Sequence, residues 1–193
     1  MEAFYTIQGE GKYTGFASYF IRLGGCDVGC HWCDVKESWD ADAHEKISVK
    51  NLLDGCLNTP TKIAVITGGE PLIHNLDELT TALQINRIRT HIETSGSSPL
   101  SGFWDWICLS PKKFKEPLQQ VCNVANELKV VIFNNSDFAW AELYAEKVND
   151  LCKLYLQPEW GKAENLLPEI ISYIQENPKW QLSLQIHKFI GVR

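Results

Sequence analysis

Three cysteines stand close together in Gly24-Gly25-Cys26-Asp27-Val28-Gly29-Cys30-His31-Trp32-Cys33-Asp34, spaced x3 and then x2. Thiolates so near in sequence converge only if the loop turns tightly, and Gly24, Gly25 and Gly29 supply the positive-φ freedom for it. Convergent thiolates are metal ligands. A structural zinc would need four donors at Zn–S distances of about 2.3 Å, with His31 or Asp34 as the fourth. An iron–sulfur cubane, which takes four thiolates when fully ligated, would here have three and keep one iron open to an outside ligand. Cys56, Cys108, Cys122 and Cys152 are scattered singly through apolar segments, where small buried thiols pack as core.

Other groups able to do chemistry fall at the ends of apolar runs. Lys-Ile-Ala-Val-Ile-Thr, residues 62 to 67, stops at Gly68-Gly69-Glu70-Pro71. Residues 90 to 93 stop at Thr94-Ser95-Gly96, 106 to 109 at Ser110-Pro111-Lys112, and 153 to 156 at Gln157-Pro158. Arg22 interrupts the apolar run Tyr19-Phe20-Ile21-Arg22-Leu23, and such a charge is either snorkelling or held for a partner.

The elements that must position these groups follow from the same runs. Strands are predicted over residues 4–7, 17–23, 62–67, 90–93, 106–109, 127–132 and 153–156, with an alternating segment over 181–186. Helices are predicted from a Ser48 cap over 49–57, from Asn75 or Asp77 to 84, from Asp137 to 148, and over 164–176. Strands alternating with helices make βαβ units and a parallel sheet, whose C-terminal strand edge is where ligands bind. About six mainly parallel strands cannot complete an eight-fold barrel, which takes about 250 residues. An α/β fold, a partial, shortened (β/α) barrel, is therefore expected, with the stretches 96–104 and 114–126 too short for full helices.

Composition agrees with one domain spanning residues 1–193: 45% of residues are hydrophobic and 22% charged, with no linker or compositional break. The formal net charge of −6 offers no basic footprint for nucleic acid. Seven cysteines, an odd number in a chain of this size, point to a reducing cytoplasm rather than a disulfide framework. No apolar run approaches the roughly 20 residues that cross a bilayer, and residues 1–9 do not read as a signal peptide.

Cys-x3-Cys-x2-Cys after one strand and Gly-Gly-Glu after the next resemble the radical S-adenosylmethionine (SAM) superfamily. Tyr5-Thr6-Ile7-Gln8-Gly9-Glu10-Gly11, Glu93-Thr94-Ser95-Gly96, Ser110-Pro111-Lys112, Asn126-Glu127-Leu128-Lys129-Val130, Gln157-Pro158 and Gln185-Ile186-His187-Lys188 follow in the order found in the 7-carboxy-7-deazaguanine synthase family. That resemblance covers nearly the whole chain. It implies a lyase of queuosine biosynthesis that rearranges 6-carboxy-5,6,7,8-tetrahydropterin with loss of ammonia, through a 5′-deoxyadenosyl radical.

The resemblance also assigns residues. Cys26, Cys30 and Cys33 would hold a 4Fe-4S cluster. Gly68, Gly69, Glu70, Gly96, Ser110, Lys112, Gln157, Pro158, Glu159 and Trp160 would bind S-adenosyl-L-methionine. Ile7, Gln8, Gly9, Glu10, Arg22, Thr94, His187 and the C-terminal Arg193 would bind the pterin, with the Arg22 guanidinium suited to its carboxylate.

The family reads Cys-Asp-Thr after its last cluster cysteine, its Thr helping to hold Mg2+; here the chain reads Cys33-Asp34-Val35. Asp34 is then the remaining side-chain candidate, and a weakened magnesium requirement is expected. An electron donor such as flavodoxin and a homodimer are further implications. Two alternatives stay open on the residues alone: a radical SAM activase acting on a partner protein, and a zinc-stabilised binding module.

Overall fold

The computed structural model describes all 193 residues. Eight strands form one sheet in sequential order: β1 (Glu2–Ile7), β2 (Ala17–Leu23), β3 (Ile63–Gly68), β4 (Arg89–Thr94), β5 (Trp106–Leu109), β6 (Glu127–Ile132), β7 (Lys153–Pro158) and β8 (Trp180–Leu182). β1 runs antiparallel to β2, and β2 to β8 are parallel to their neighbours. The sheet thus has more strands than the six or so expected. The first is a hairpin arm rather than a βα unit, and the last keeps only three ladder positions from the alternating segment near 181.

Helices α1 (Val49–Leu57), α2 (Asp77–Ile85), α3 (Gln119–Val124), α4 (Ser136–Ala145), α5 (Ala163–Glu176) and the short α6 (Ile186–Phe189) fill the connections. Ser48 caps α1 through its Oγ, which accepts the Asn51 N–H at 3.2 Å. The α4 helix begins at Ser136, one residue before the expected Asp137. Asp137 instead turns back, its Oδ2 accepting the N–H groups of Phe133 and Asn134. No helix forms between β4 and β5, and α3 has six residues, in keeping with the short connections.

Alternation along each strand divides the molecule. Ile21, Ala64, Ile66, Ile92, Leu109, Leu128, Val130 and Leu156 turn outward into one apolar core with Leu79, Leu83, Val121, Tyr144 and Ile170 of the helices. The inward positions of the same strands carry Arg22, Thr67, Glu93, Cys108, Lys129 and Gln157. One face of the sheet is ordinary core; the other is a polar lumen.

The lumen floor is closed by the turn at Gly11–Tyr13. The Tyr13 ring lies 4.4 Å from His91 and 5.0 Å from Trp106, centroid to centroid, and the Lys12 N–H donates to Glu127 Oε2 at 3.1 Å. β8 does not pair with β1, so the barrel is open there. The C-terminal segment bridges the opening: the Ile186 N–H donates to the Gly9 carbonyl at 3.0 Å and Thr6 Oγ1 to the Arg193 carbonyl at 3.0 Å.

Candidate active site

Two adjoining cavities open at the C-terminal edge of the strands. The larger, about 240 Å3, has Cys26, Cys30 and Cys33 on one wall and Gly68, Gly69 and Glu70 on another. Thr94, Ser110, Lys112, Asp34 and the stretch Gln157–Trp160 complete the part that sequence reasoning picked out. The smaller, about 190 Å3, is lined by Ile7, Gln8, Gly9, Arg22, Val35, His187 and Arg193. Glu10, Glu93, Asp34, Gly68 and Gln185 border both.

The cysteine loop and the Gly-Gly-Glu loop are locked together by backbone. The Gly69 N–H donates to the Leu23 carbonyl at 3.0 Å, and the Glu70 N–H to the Gly25 carbonyl at 2.8 Å. A Cβ on Gly69 would sit 2.0 Å from the Gly25 oxygen, so only glycine admits this contact. Gly25 and Gly29 take positive φ as the tight loop demands, whereas Gly24 does not. All seven cysteines are free thiols.

No group of three or more His, Cys, Asp or Glu side chains is gathered as a single metal ion requires. Three thiols set around one cavity wall suit a cluster whose irons occupy separate corners. Burial pushes the Cys30 thiol up to about 11 even with the Lys112 ammonium nearby, so this thiol ionises on meeting a metal rather than before.

Magnesium fits less well. Asp34 Oδ2 accepts a bond from Lys188 Nζ at 2.6 Å, and Val35 brings no oxygen. A hard cation that wants six oxygens finds no set of them here.

Glu70 is 1% exposed and its carboxylate is filled from within the protein. Oε1 accepts the Leu72 N–H at 3.0 Å and the Thr94 hydroxyl at 2.5 Å; Oε2 accepts the Ser95 N–H at 2.8 Å and its hydroxyl at 2.5 Å. Four donors occupy four lone-pair sites. Gly96 lies outside both cavities, its N–H spent on Thr94 Oγ1 and its carbonyl on the Leu118 N–H. Lys112 Nζ donates to the carbonyl and hydroxyl oxygens of Ser110, both at 2.6 Å, which ties the Ser-Pro-Lys turn to itself beside Cys30.

In the smaller cavity, Arg22 Nη1 donates to Glu2 Oε1 at 2.8 Å, and Arg193 Nη2 to Glu2 Oε2 at 2.8 Å. Both guanidiniums lie over the Phe4 ring, at 5.5 and 5.1 Å from its centroid. Gln8 is buried and turned inward, its Oε1 accepting the Glu10 N–H and its Nε2 reaching Glu93 Oε1 at 3.3 Å. A Cβ on Gly9 would fall 2.3 Å from His187 Nδ1, so this glycine lets α6 approach.

Sequence reasoning missed the lysine of the larger cavity that joins two carboxylates of the shared wall. Lys129 is 4% exposed, with Nζ 2.5 Å from Glu10 Oε2 and 2.8 Å from Glu93 Oε2. Burial works to raise the Glu10 pKa, but Lys129, with Gln185 and His187, outweighs it and holds the carboxyl at about 2. Burial likewise works to lower Lys129, yet Cys108, Glu10, Glu93 and Glu127 around it raise it well above the usual lysine range. The available signal was the lysine inside the largely apolar run Leu128-Lys129-Val130-Val131-Ile132, the same signal that drew notice to Arg22; Glu93, in a polar strand, gave none.

Comparison with known proteins places this geometry. The model of the radical SAM superfamily matches residues 20–130. A 7-carboxy-7-deazaguanine synthase of Flavobacterium psychrophilum is 52% identical over 192 residues, covering 100% of this chain and 91% of the relative. One from Synechocystis sp. is 47% identical, covering 100% of this chain and 92% of the relative. The crystal structure of QueE from Escherichia coli superposes with a TM-score of 0.82 at 37% identity, over 96% of this chain and 92% of that one.

Proposed function

The chain belongs to the radical SAM superfamily and, within it, to the 7-carboxy-7-deazaguanine synthases, and from that premise we propose that it converts 6-carboxy-5,6,7,8-tetrahydropterin to 7-carboxy-7-deazaguanine. The reaction releases ammonia and serves the making of queuosine and other 7-deazapurines. One observation carries the reading: a thiol-walled cavity meets, across Glu10 and Glu93, a second cavity that presents Arg22. Two molecules bound one in each would touch.

Cys26, Cys30 and Cys33 are the residues to hold a 4Fe-4S cluster, and the larger cavity is where S-adenosyl-L-methionine would bind. When bound, the pair supplies a 5′-deoxyadenosyl radical able to take a hydrogen atom from the pterin. Everything else falls to the chain's own groups. With Glu70 saturated, the cofactor's amino group is left to the backbone carbonyls of Gly68 and Gly69. Ser110, Lys112 and Gln157–Trp160 form the opposite side. Gly96, outside the cavity, supports this side through the turn after β4.

In the smaller cavity the Arg22 guanidinium pairs with the pterin carboxylate through the edge that Glu2 leaves free. Ile7, Gln8, Gly9, His187 and Arg193 enclose the ring, and Glu10, held ionised, accepts its N–H groups. Thr94 borders the larger cavity and meets the pterin where the two join. Magnesium would rely on Asp34, backbone, water and the substrate itself, so we propose a weak dependence.

The electron donor is a small reducing protein such as flavodoxin, and the setting is the cytoplasm; no helix is long and apolar enough to cross a membrane. A homodimer is favoured by the apolar side chains exposed toward the open edge, Tyr5 on β1, Phe16 just before β2 and Leu182 on β8.

Anaerobic, cluster-reconstituted and reduced protein, given S-adenosyl-L-methionine and the carboxytetrahydropterin, should form 7-carboxy-7-deazaguanine and ammonia in equal amounts. A colourless protein holding one zinc per chain, or a brown one that leaves the pterin unchanged, overturns the proposal.

A further inference from the structure

Substrate and product of the reaction proposed above differ by one ammonia, so the conversion is redox-neutral overall. The nitrogen lost is a ring nitrogen held by two carbons. The radical rearrangement exchanges one of those bonds for the new carbon–carbon bond and leaves an amine, and the elimination that follows breaks the second bond, whose electron pair leaves with nitrogen. In that elimination the nitrogen gains a proton while a ring carbon gives one up. Some group at the wall between the cavities has to carry protons.

Five basic side chains border the two cavities: Lys112, Lys129, Arg22, Arg193 and His187. Guanidiniums do not release protons in proteins. Burial lowers the His187 pKa below its ordinary 6.5, leaving the ring neutral at pH 7. Lys112 lies at the cysteine end of the larger cavity, bonded to both Ser110 oxygens and with its Nζ 5.8 Å from the centre of the Trp32 ring, away from the carboxylates shared with the smaller cavity.

Lys129 differs from all of these. It projects from the middle of β6 into the lumen, held at Nζ by two carboxylates that each border both cavities. Two of its three ammonium hydrogens are assigned to Glu10 and Glu93. The third has no protein acceptor.

We propose that Lys129 is the proton donor to the departing ammonia, with Glu93 collecting the proton that the ring carbon gives up and returning it to Lys129. One proton enters the pair and one leaves, the C–N electron pair goes with nitrogen, and no oxidant or reductant is consumed. Glu10 keeps the ammonium in place. The inference rests on the pterin reading, and its failure is separable from that reading's failure.

The test compares wild type with Lys129→Arg and Lys129→Met under single-turnover conditions, using pterin deuterated at its saturated ring carbons. Lys129→Arg keeps the charge and both ion pairs but cannot give up a proton, so it is the variant that isolates the role. It should bind the pterin with an affinity within a few-fold of wild type. It should still transfer deuterium to the cofactor, while ammonia release falls by about 100-fold or more. Lys129→Met should lose pterin affinity as well.

Ammonia release by Lys129→Arg at the wild-type rate overturns the inference, and so does a loss of deuterium transfer in step with ammonia release. Should neither variant fold, the wild-type protein decides. Ammonia release should be slowed about twofold or more in D2O with deuterium transfer unaffected, and equal rates in the two solvents overturn the proposal. Failure of wild type to form product sinks the pterin reading itself.

Discussion

Glu70 Oε2 takes both the backbone N–H and the hydroxyl of Ser95, at 2.8 and 2.5 Å, and so bolts the loop after β3 to the loop after β4. With every lone pair filled from within the protein, we propose that this carboxylate positions the loop rather than touching the cofactor. It fixes where the Gly68 and Gly69 carbonyls point. Hydrogen bonds to a buried charge are worth about 1.5–3 kcal/mol each, and an amide in its place would set its own N–H2 against existing donors. Glu70→Gln should therefore lower the unfolding free energy by about 2–3 kcal/mol. Urea denaturation of the protein checks this; unchanged stability with weakened S-adenosyl-L-methionine binding would instead make Glu70 a direct ligand.

Arg22 and Arg193 share one carboxylate, Glu2, across the Phe4 ring. The clasp joins the first strand to the last residue and aims Arg22 into the smaller cavity. Lys in place of Arg22 would keep the charge but lose the planar fork. Arg22→Lys should raise the KM for the pterin about tenfold, equivalent to about 1.4 kcal/mol, with a smaller change in kcat. Glu2→Ala should move KM in the same direction by less, since it frees Arg22 without removing it. Steady-state kinetics on both variants tests the ranking, and an effect confined to kcat would place Arg22 elsewhere in the reaction.

Much of this architecture was readable in advance, and the reasons are physical. Residues 17–23, 106–109 and 127–132 are strands with the expected ends because apolar β-rich runs stop at Gly24, at Ser110 and just before the Asn134-Asn135 pair. The cysteine and Gly-Gly-Glu loops were legible because metal and backbone contacts restrict residue type at fixed spacing. The lumen was not. Glu93 and Lys129 sit 36 residues apart and become a pair only when the closing sheet puts both inside. Spacing carries no trace of a contact made across a barrel. The internal hydrogen bonds of Glu70 and Thr94 and the Asp34–Lys188 ion pair were equally hidden, since a motif names a residue without naming its partners.

Asp34 and Val35 bear on magnesium. With Asp34 Oδ2 on Lys188 at 2.6 Å and a hydrocarbon at 35, a cation finds one carboxylate oxygen, Asp34 Oδ1, beside an ammonium that repels it. Turnover in the presence of a chelator should remain a large fraction of turnover with magnesium at low millimolar levels. Val35→Thr restores a hydroxyl at the wall of the smaller cavity and should increase the stimulation by magnesium severalfold. Full abolition of wild-type activity by chelation, restored by magnesium, would show that backbone, water and substrate suffice.

His91 in the lumen floor makes stability depend on pH. Its ring packs 4.4 Å from Tyr13, is 3% exposed, and its Nε2 has no hydrogen-bond partner. Burial first, and the nearby Arg89 second, lower its pKa from 6.5 to about 4, against a smaller upward pull from Asp105. The folded state therefore refuses a proton that the unfolded chain accepts. Stability is complete above pH 6.5 and is lost as pH falls toward 4, since there the unfolded state binds more protons. Linkage gives a loss of about 2 kcal/mol between pH 7.5 and pH 5. His187, also lowered, adds in the same direction, whereas Glu127, raised by burial and by Glu93, opposes it as the pH falls. The comparison that isolates His91 is thus between proteins rather than between pH values. Urea titrations at pH 7.5 and 5 should show the His91→Phe variant, which keeps an aromatic ring against Tyr13 and cannot titrate, losing about 2 kcal/mol less than wild type over that interval. Equal losses in the two proteins would mean that the floor admits water or a partner to Nε2 and that the ring takes up its proton in place.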